Sequence, residues 1–497
     1  NFWNIFIILS ISIRDGLILD FRNLMATHST KIYSYMTSPK FLRDKINNFV
    51  KSLKVSDKLL VSKNSTIDRL INIINIENFD NKTNKEIDFF CKKFEISNKL
   101  FVSYDASGSK SSDKILGPEG LQIFVCLLYL RLLISIDQDS SEINTAKYIN
   151  ICWKAFDHVK LPDFLNSERE GLKDFQDKIF KKFPVNSLTS KTSAKYKITN
   201  TNKINHNKFK KIPIDILFYE GPIARSYLEM LHSLGCKPRR IINLIAKRDL
   251  VTQKNVGLFL PSFLRYKYAA KLQYQKIHHW PKYLFRTQKK LSLEVFQQLS
   301  ETLKIEQNTL LGVLQQKPLK NYSDDVISLP IDSLKDQKLF TYLSQNKAQM
   351  YLYTGGGIMP ESFFNIKNSS IIHIHPGYLP DMRGADCLLW SIMLAGYPSA
   401  TSFFMNSGID TGNIIKAVFL PKISLPIALS TLDKKMVYRL LYSFVDPWIR
   451  SAVLRDTLIS TNYLENIISS PQNIEEGNTF HFMHDNMISE VIKRLLK

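Results

Sequence analysis

The chain has 497 residues, 44% hydrophobic and 23% charged, a length that implies two or three domains and a composition typical of a soluble globular protein. Its five cysteines (Cys91, Cys126, Cys152, Cys236 and Cys387) are scattered, odd in number and free of any CxxC, which argues against a disulfide framework or a zinc site and fits a reducing, cytoplasmic setting. The net charge of +22 has two readings, a Lys-, Asn- and Ile-rich composition or a basic surface for RNA or phosphorylated substrates; the wide spread of the lysines favours the first.

Residues 2–13 (FWNIFIILSISI) are apolar but too few to span a bilayer, and they lack the basic flank and small-residue cleavage site of a signal peptide. Residues 1–24 are therefore expected to be an apolar leader or start-site artefact, or else a buried apolar segment. No other stretch suggests a membrane span.

Residues 25–180 read as a mostly α-helical domain. Lys40–Leu53, Thr66–Ile76, Ile149–Val159 and Leu172–Phe183 have apolar residues at helical spacing, and Leu121–Ile136 is nearly continuously apolar, as a buried helix would be. Ser103–Ser112 is a polar loop whose lone Gly108 does not make a phosphate loop. This half reads as a helical scaffold ahead of a recruitment or partner-binding module. The stretch 181–211 carries nine lysines and no acidic residue and is expected to be a flexible linker.

From 212 to 497 the pattern changes to alternating strands and helices. Ile212–Tyr219 reads as a strand stopped by Gly221-Pro222. A helix follows with Ile223, Tyr227, Met230, Leu231 and Leu234 on one face, and Gly235 sits at its C′ position, where a positive φ is cheapest for Gly. Strands follow at Arg240–Ile245, Met350–Tyr353, Ile371–His375, Thr401–Met405 and Asn413–Phe419, with helices at Asp386–Leu394 and Thr431–Asp456. This order implies an α/β fold, Rossmann-like, with a mainly parallel sheet. Leu264–Lys290 holds eight Lys/Arg and no acidic residue, interleaved with tyrosines and Trp280. It reads as a helix with an aromatic core face and a solvated lysine face, ahead of a nucleic-acid cradle or a phosphate contact by Arg265 or Lys267.

The chemistry-bearing run is IIHIHPGYLPDMRGADCLLWS followed by SGIDTGNII. His373 and His375 alternate, so a strand points both imidazoles one way, and a Pro/Gly break follows at the sheet edge where α/β proteins bind ligands. Asp410 lies in a tight turn. A His–Asp pair suits a general acid/base, and the second imidazole could donate to an oxyanion. HxH plus Asp is also a conceivable metal set, ranked well below acid/base work because no third histidine stands at a fixed spacing. Buried structural histidines are disfavoured by the Pro/Gly surroundings.

At these residues the sequence resembles the formyltransferase family, which includes the methionyl-tRNA, glycinamide ribonucleotide and sugar N-formyltransferases. His375-Pro376-Gly377-Tyr378-Leu379-Pro380, Arg383-Gly384 and Asp410-Thr411-Gly412 follow its pattern in order. Gly356-Gly357-Ile358-Met359-Pro360 resembles its loop upstream, and Gln472–Phe480 its segment downstream. The resemblance implies the formyltransferase fold and a formyl group moved from 10-formyltetrahydrofolate to an amine acceptor, either a small molecule or carrier-borne, with RNA among the candidates and neither membrane nor metal involved. It implies catalysis by His373, His375 and Asp410. It implies a pterin pocket lined by Gly355, Gly356, Gly357, Ile358, Met359 and Gly408, and acceptor contacts from Gly221, Pro222, Tyr378 and Arg383. The departure is His373, where the family has Asn. Either it substitutes for that Asn, or it marks another acceptor or one-carbon donor, or transfer has been lost; the first two together lead. The rivals are a folate- or RNA-binding protein without transfer activity, and a hydrolase releasing formate. No clear C-terminal barrel follows residue 484, which leaves a tRNA-formylating arrangement doubtful; His481 and His484 face either an acceptor or solvent.

Overall fold

A computed structural model describes residues 38–55, 65–76, 81–97, 117–137, 142–185, 188, 191–192, 209–315, 317–346, 349–357 and 359–496. The expectations for residues 1–24 and for the Ser103–Ser112 loop lie outside the described residues. The chain divides into two compact units near residue 181.

The first unit is helical, with α1 (Pro39–Val55), α2 (Ser65–Ile74), α3 (Asn81–Ser97), α4 (Gly117–Asp137), α5 (Glu142–His158) and α6 (Glu168–Phe180). The apolar run of α4 is its axis: Ile123 through Leu130 are buried, and α1, α2 and α5 pack around it. A helix apolar all round has to be covered all round. Inside this unit, Trp153 Nε1 donates to Gln176 Oε1 at 2.8 Å. The helix α3 was not read from the sequence; its lysines and asparagines dilute the apolar stripe of Ile87, Phe90 and Cys91.

The stretch expected as a solvated linker, 181–211, is docked where it is described. Phe183 and Leu188 are buried, Val185 N–H donates to Leu394 O at 2.8 Å, and Lys191 pairs with Asp381 at 2.7 Å. Two apolar side chains with somewhere to go hold this part of a lysine-rich segment against the protein. Most of the remainder lies outside the described residues.

The second unit is built on a seven-stranded sheet in the order β3-β2-β1-β4-β5-β7-β8. Its strands are β1 (Lys210–Tyr219), β2 (Cys236–Ala246), β3 (Val326–Ile331), β4 (Met350–Tyr353), β5 (Ser370–His375), β7 (Ser399–Phe404) and β8 (Ile414–Phe419). The first five in spatial order are parallel, while β7 runs antiparallel to β5 and β8 antiparallel to β7. The expected mainly parallel α/β sheet is therefore present. A two-stranded parallel pair, β6 (Met382–Gly384) with β9 (Asn478–Phe480), sits beside it. Strands β3, β6 and β9 were not read from the sequence. The latter two are three residues each, too short to show a period.

The longer helices are α7 (Pro222–Ser233), α8 (Ser262–Ile277), α9 (His279–Thr287), α10 (Lys289–Leu303), α11 (Gln337–Gln345), α12 (Cys387–Ala395), α13 (Lys434–Leu440), α14 (Asp446–Ser460) and α15 (Asp485–Leu495). Gly235 has φ +64° just beyond α7, as its C′ position requires. The expected helical region from Thr431 resolves into α13, a π-turn at Leu441–Val445, and α14, which packs on α7 and on β5 and β7. No described helix is long and apolar enough to cross a membrane.

Candidate active site

Strand β5 ends on His373-Ile374-His375, and the alternation of the strand puts both imidazoles on one face. The ring of His373 lies between those of Tyr353 and Phe403, with centroids 5.9 and 6.1 Å away. Its Nδ1 is 3.1 Å from the Tyr353 carbonyl oxygen. Burial, reinforced by the Arg450 guanidinium, lowers its pKa to about 4. His375 is buried, with Nε2 2.9 Å from Met382 O and Nδ1 3.4 Å from Asp410 Oδ2. Burial also pushes its pKa down, and the Asp410 carboxylate opposes that.

The loop after β5 wraps the imidazole of His375. A Cβ on Gly377 would sit 2.6 Å from Met382 O and 2.8 Å from His375 Nε2, so only Gly allows this approach. Thr401 Oγ1 donates to Gly377 O at 2.7 Å and accepts from Leu379 N–H at 3.0 Å, which fixes the loop to β7.

Asp410 adopts a left-handed backbone, φ +54°, in the turn between β7 and β8. Its carboxylate accepts from Gly384 N–H at 3.0 Å. Asn406 Oδ1 organises the turn, accepting from Gly408 N–H at 3.1 Å and from the Thr411 hydroxyl at 2.8 Å. From outside, Gln472 Nε2 donates to Asp410 O at 3.1 Å and Gly412 O at 2.5 Å. The structure thus brings His373, His375 and Asp410 together. Gly408 stands beside them as a turn residue, where a Cβ would fall 2.0 Å from Thr411 Oγ1.

The glycine loop follows β4. Thr354 Oγ1 donates to Leu217 O at 3.1 Å and accepts from Tyr219 N–H at 2.9 Å, tying the ends of β4 and β1 together. Tyr353 donates its hydroxyl to Gly356 O at 2.6 Å, and a Cβ on Gly355 would meet that hydroxyl at 2.6 Å. Gly357 has φ +96°, and space is open where a Cβ of Gly356 would stand. Met359 differs from the expectation that it lines a pocket. Its side chain is buried in the core cluster with Leu217, Tyr351 and Phe363, where an apolar chain gains most. Ile358 lies outside the described residues.

The expected acceptor contacts are dispersed. Tyr378 is stacked on Phe419, centroids 4.5 Å apart, with Lys191 over its ring. Arg383 is buried and donates to Gly477 O at 2.9 Å, bracing β6 against the segment before β9. Gly221 and Pro222 begin α7 beside a buried cluster, in which Glu220 pairs with Arg225 at 2.6 Å and with His278 Nε2 at 2.9 Å. Burial pushes the Glu220 pKa up, but hydrogen bonds from Arg225 and His278 outweigh it and hold it at about 2.

The basic, aromatic stretch 264–290 forms α8 and α9. Tyr274 and Leu284 face the core, whereas Tyr266 and Tyr268 are exposed. Arg265 is committed to the carbonyls of Leu260 and Leu258, so it closes its own loop. His484 Nδ1 accepts from Asn486 N–H and caps α15. Among the described residues no group of three or more His, Cys, Asp and Glu is placed to hold a metal ion.

Arg450 and Asn406 were missed by sequence reading, and Gln472 was read only as the start of the downstream segment, with no role of its own. Arg450, on α14, donates to Ile374 O at 3.0 Å between the two histidines and pairs with Asp446 at 2.9 Å. The Asp–x3–Arg spacing on one helix carries no signal of what that helix covers. Gln472 and Asn406 are surface-type residues whose importance exists only in three dimensions.

No family profile matches the chain. It is 30% identical over 112 residues to the methionyl-tRNA formyltransferase of Bacteroides fragilis, covering 22% of this chain and 34% of that protein. It is 28% identical over 151 residues to the methionyl-tRNA formyltransferase of Bacteroides thetaiotaomicron, covering 29% of this chain and 45% of that protein. The chain therefore spans well under two thirds of the curated relatives it matches. Among solved structures, a formyltransferase from Anoxybacillus kamchatkensis in complex with a UDP-linked formamido sugar and tetrahydrofolate aligns at 20% identity and a TM-score of 0.24, covering 33% of this chain and 78% of that one.

Proposed function

We propose that this chain, by sequence a relative of the formyltransferases as its motifs imply, uses its second unit to move a formyl group from a reduced-folate donor to an amine. The observation that carries this reading is the contact of His375 Nδ1 with Asp410 Oδ2 at 3.4 Å, in a turn held by Gly384 N–H and Gln472. With Nε2–H donated to Met382 O, a neutral His375 turns its Nδ1 lone pair toward a carboxylate. A proton placed between the two is shared by both. Such a pair can hold a proton, or oppose the charge that develops, beside an acyl carbon under attack by an amine.

The glycine loop after β4 lies next to the end of β1, to which Thr354 ties it. The cleared space at Gly356 supports a flat ring approaching the backbone there, as 10-formyltetrahydrofolate would. The donor supplies the formyl carbon; the protein supplies orientation and proton transfer. The N-terminal helical unit is read as a recruitment module or scaffold within the boundaries 25–180.

The test is direct. The full chain is incubated with 10-formyltetrahydrofolate and a panel of amines: an aminodeoxy nucleotide sugar, glycinamide ribonucleotide and methionyl-tRNA. Formylated product from one of them is expected, lost in His375→Ala and Asp410→Ala variants that stay folded. Formate released without any amine replaces transfer by hydrolysis. No turnover with any of them, despite folate binding, leaves a binding protein.

A further inference from the structure

We propose that His373 is the proton-accepting base of this site, presenting an unprotonated Nε2 to the attacking amine, and that it does not stand in for the family asparagine as a hydrogen-bond donor. The base role rests on the formyl-transfer reading; the ring chemistry beneath it does not.

The argument begins with the partner of Nδ1. A carbonyl oxygen only accepts, so the 3.1 Å contact between Nδ1 and Tyr353 O places the proton on Nδ1. A neutral imidazole carries one N–H, which leaves Nε2 with its lone pair. The Nε2 atom makes no hydrogen bond to the described residues and is not among their buried unpartnered polar atoms. His373 is half-buried, so that nitrogen is open to a ligand.

The surroundings keep the ring neutral. Arg450 faces it from α14, His375 from β5, Asp410 from the turn after β7, and the Tyr353 phenol from β4. Burial and the Arg450 charge outweigh the attraction of Asp410, and the pKa falls to about 4. At neutral pH a donating imidazolium is therefore absent. An asparagine amide donates N–H to a formyl oxygen; this nitrogen can only accept.

The step balances without an oxidant. The neutral amine forms a bond to the formyl carbon, and the C=O π pair moves to oxygen. The proton of the new N–H passes to His373 Nε2, giving an imidazolium held by Tyr353 O and countered by Asp410. When the oxygen pair re-forms C=O, the bond from carbon to the folate nitrogen breaks, and that nitrogen takes its pair and the proton. Neutral His373 is restored.

Two measurements on the full chain test this. Nitrogen-15 long-range correlation spectra of the histidine rings are expected to show His373 protonated on Nδ1 and bare on Nε2 at pH 7, remaining neutral to below pH 5. An Nε2–H tautomer, or an imidazolium at pH 7, overturns the proposal whatever the activity. In steady-state assays, His373→Asn is expected to lower kcat about 100-fold, with the donor KM little changed, and to remove the acidic limb of the pH profile. Full rate in that variant overturns the base role alone. Absence of transfer by the unaltered chain, with folate and every amine tested, overturns the transfer reading and the base role with it, while the tautomer stands or falls on the spectra.

Discussion

Gln472 holds Asp410 by the main chain, while Gly384 N–H and His375 share its carboxylate. Its Nε2 donates to Asp410 O at 3.1 Å and to Gly412 O at 2.5 Å, while the Asp410 side chain takes Gly384 N–H at 3.0 Å. The residue that aims the acid is thus separated by 62 positions from the acid it aims. Gln472→Met keeps the length of the side chain and removes both donors. Each lost hydrogen bond costs about 1 kcal/mol, and the turn, already strained at φ +54°, is expected to relax. The expected result is a roughly tenfold fall in kcat with a small change in melting temperature. A drop in melting temperature with kcat intact would make Gln472 a structural clamp only.

Gly377 tests how tightly His375 is enclosed. A methyl group there would sit 2.6 Å from Met382 O and 2.8 Å from His375 Nε2, and one of them must move. Gly377→Ala is expected to cost about 1–3 kcal/mol of stability through overpacking and to abolish measurable turnover, because the displaced group is the acceptor that fixes the His375 ring. Gly356→Ala is its control, since space is open there. That variant is expected to fold normally and to weaken donor binding, read as a raised KM.

Much of this arrangement was legible because local chemistry and global fold agree. Alternation named His373 and His375 as neighbours on a face, and Gly235 announced its own positive φ. What was not legible depends on partners distant in sequence. The Asn-to-His departure could be seen, but the direction of the His373 ring could not, because Tyr353 O selects it from the next strand. Met359 lies in a motif expected to line a pocket, and its side chain goes instead into the core beneath β4. Phe183 and Leu188, two apolar residues in a lysine-rich stretch, dock a segment that composition alone marks as solvated.

Arg450 couples stability to the ionisation of the histidines. Asp446 is 1% exposed, so Arg450→Met leaves a buried carboxylate without its cation and is expected to cost about 3–5 kcal/mol. Replacing both, with Asp446→Leu added, is expected to recover most of that loss. In the double variant the guanidinium no longer opposes protonation of His373, so its pKa is expected to rise from about 4 toward the ordinary histidine range. Thermal unfolding and histidine titration by NMR read the two effects separately. A His373 pKa unchanged in the double variant would leave burial and the neighbouring His375 as its causes.

Glu220 supplies a pH dependence unrelated to the His375–Asp410 pair. Its carboxyl is held at about 2 in the folded chain against 4.5 ordinarily, since Arg225 and His278 outweigh its burial. A carboxylate with a depressed folded pKa stabilises the fold fully above its unfolded value and loses that contribution as pH falls through the folded one. The window therefore runs from about pH 4.5 down to about pH 2. The shift corresponds to stability on the order of 3 kcal/mol, the side chain being only 11% exposed. Glu220→Gln keeps hydrogen-bond acceptance from Arg225 but cannot titrate. Denaturant unfolding at pH 7 and pH 3 is expected to show the unaltered chain losing more stability on acidification than this variant does. Equal losses in the two would remove Glu220 as a source of acid sensitivity.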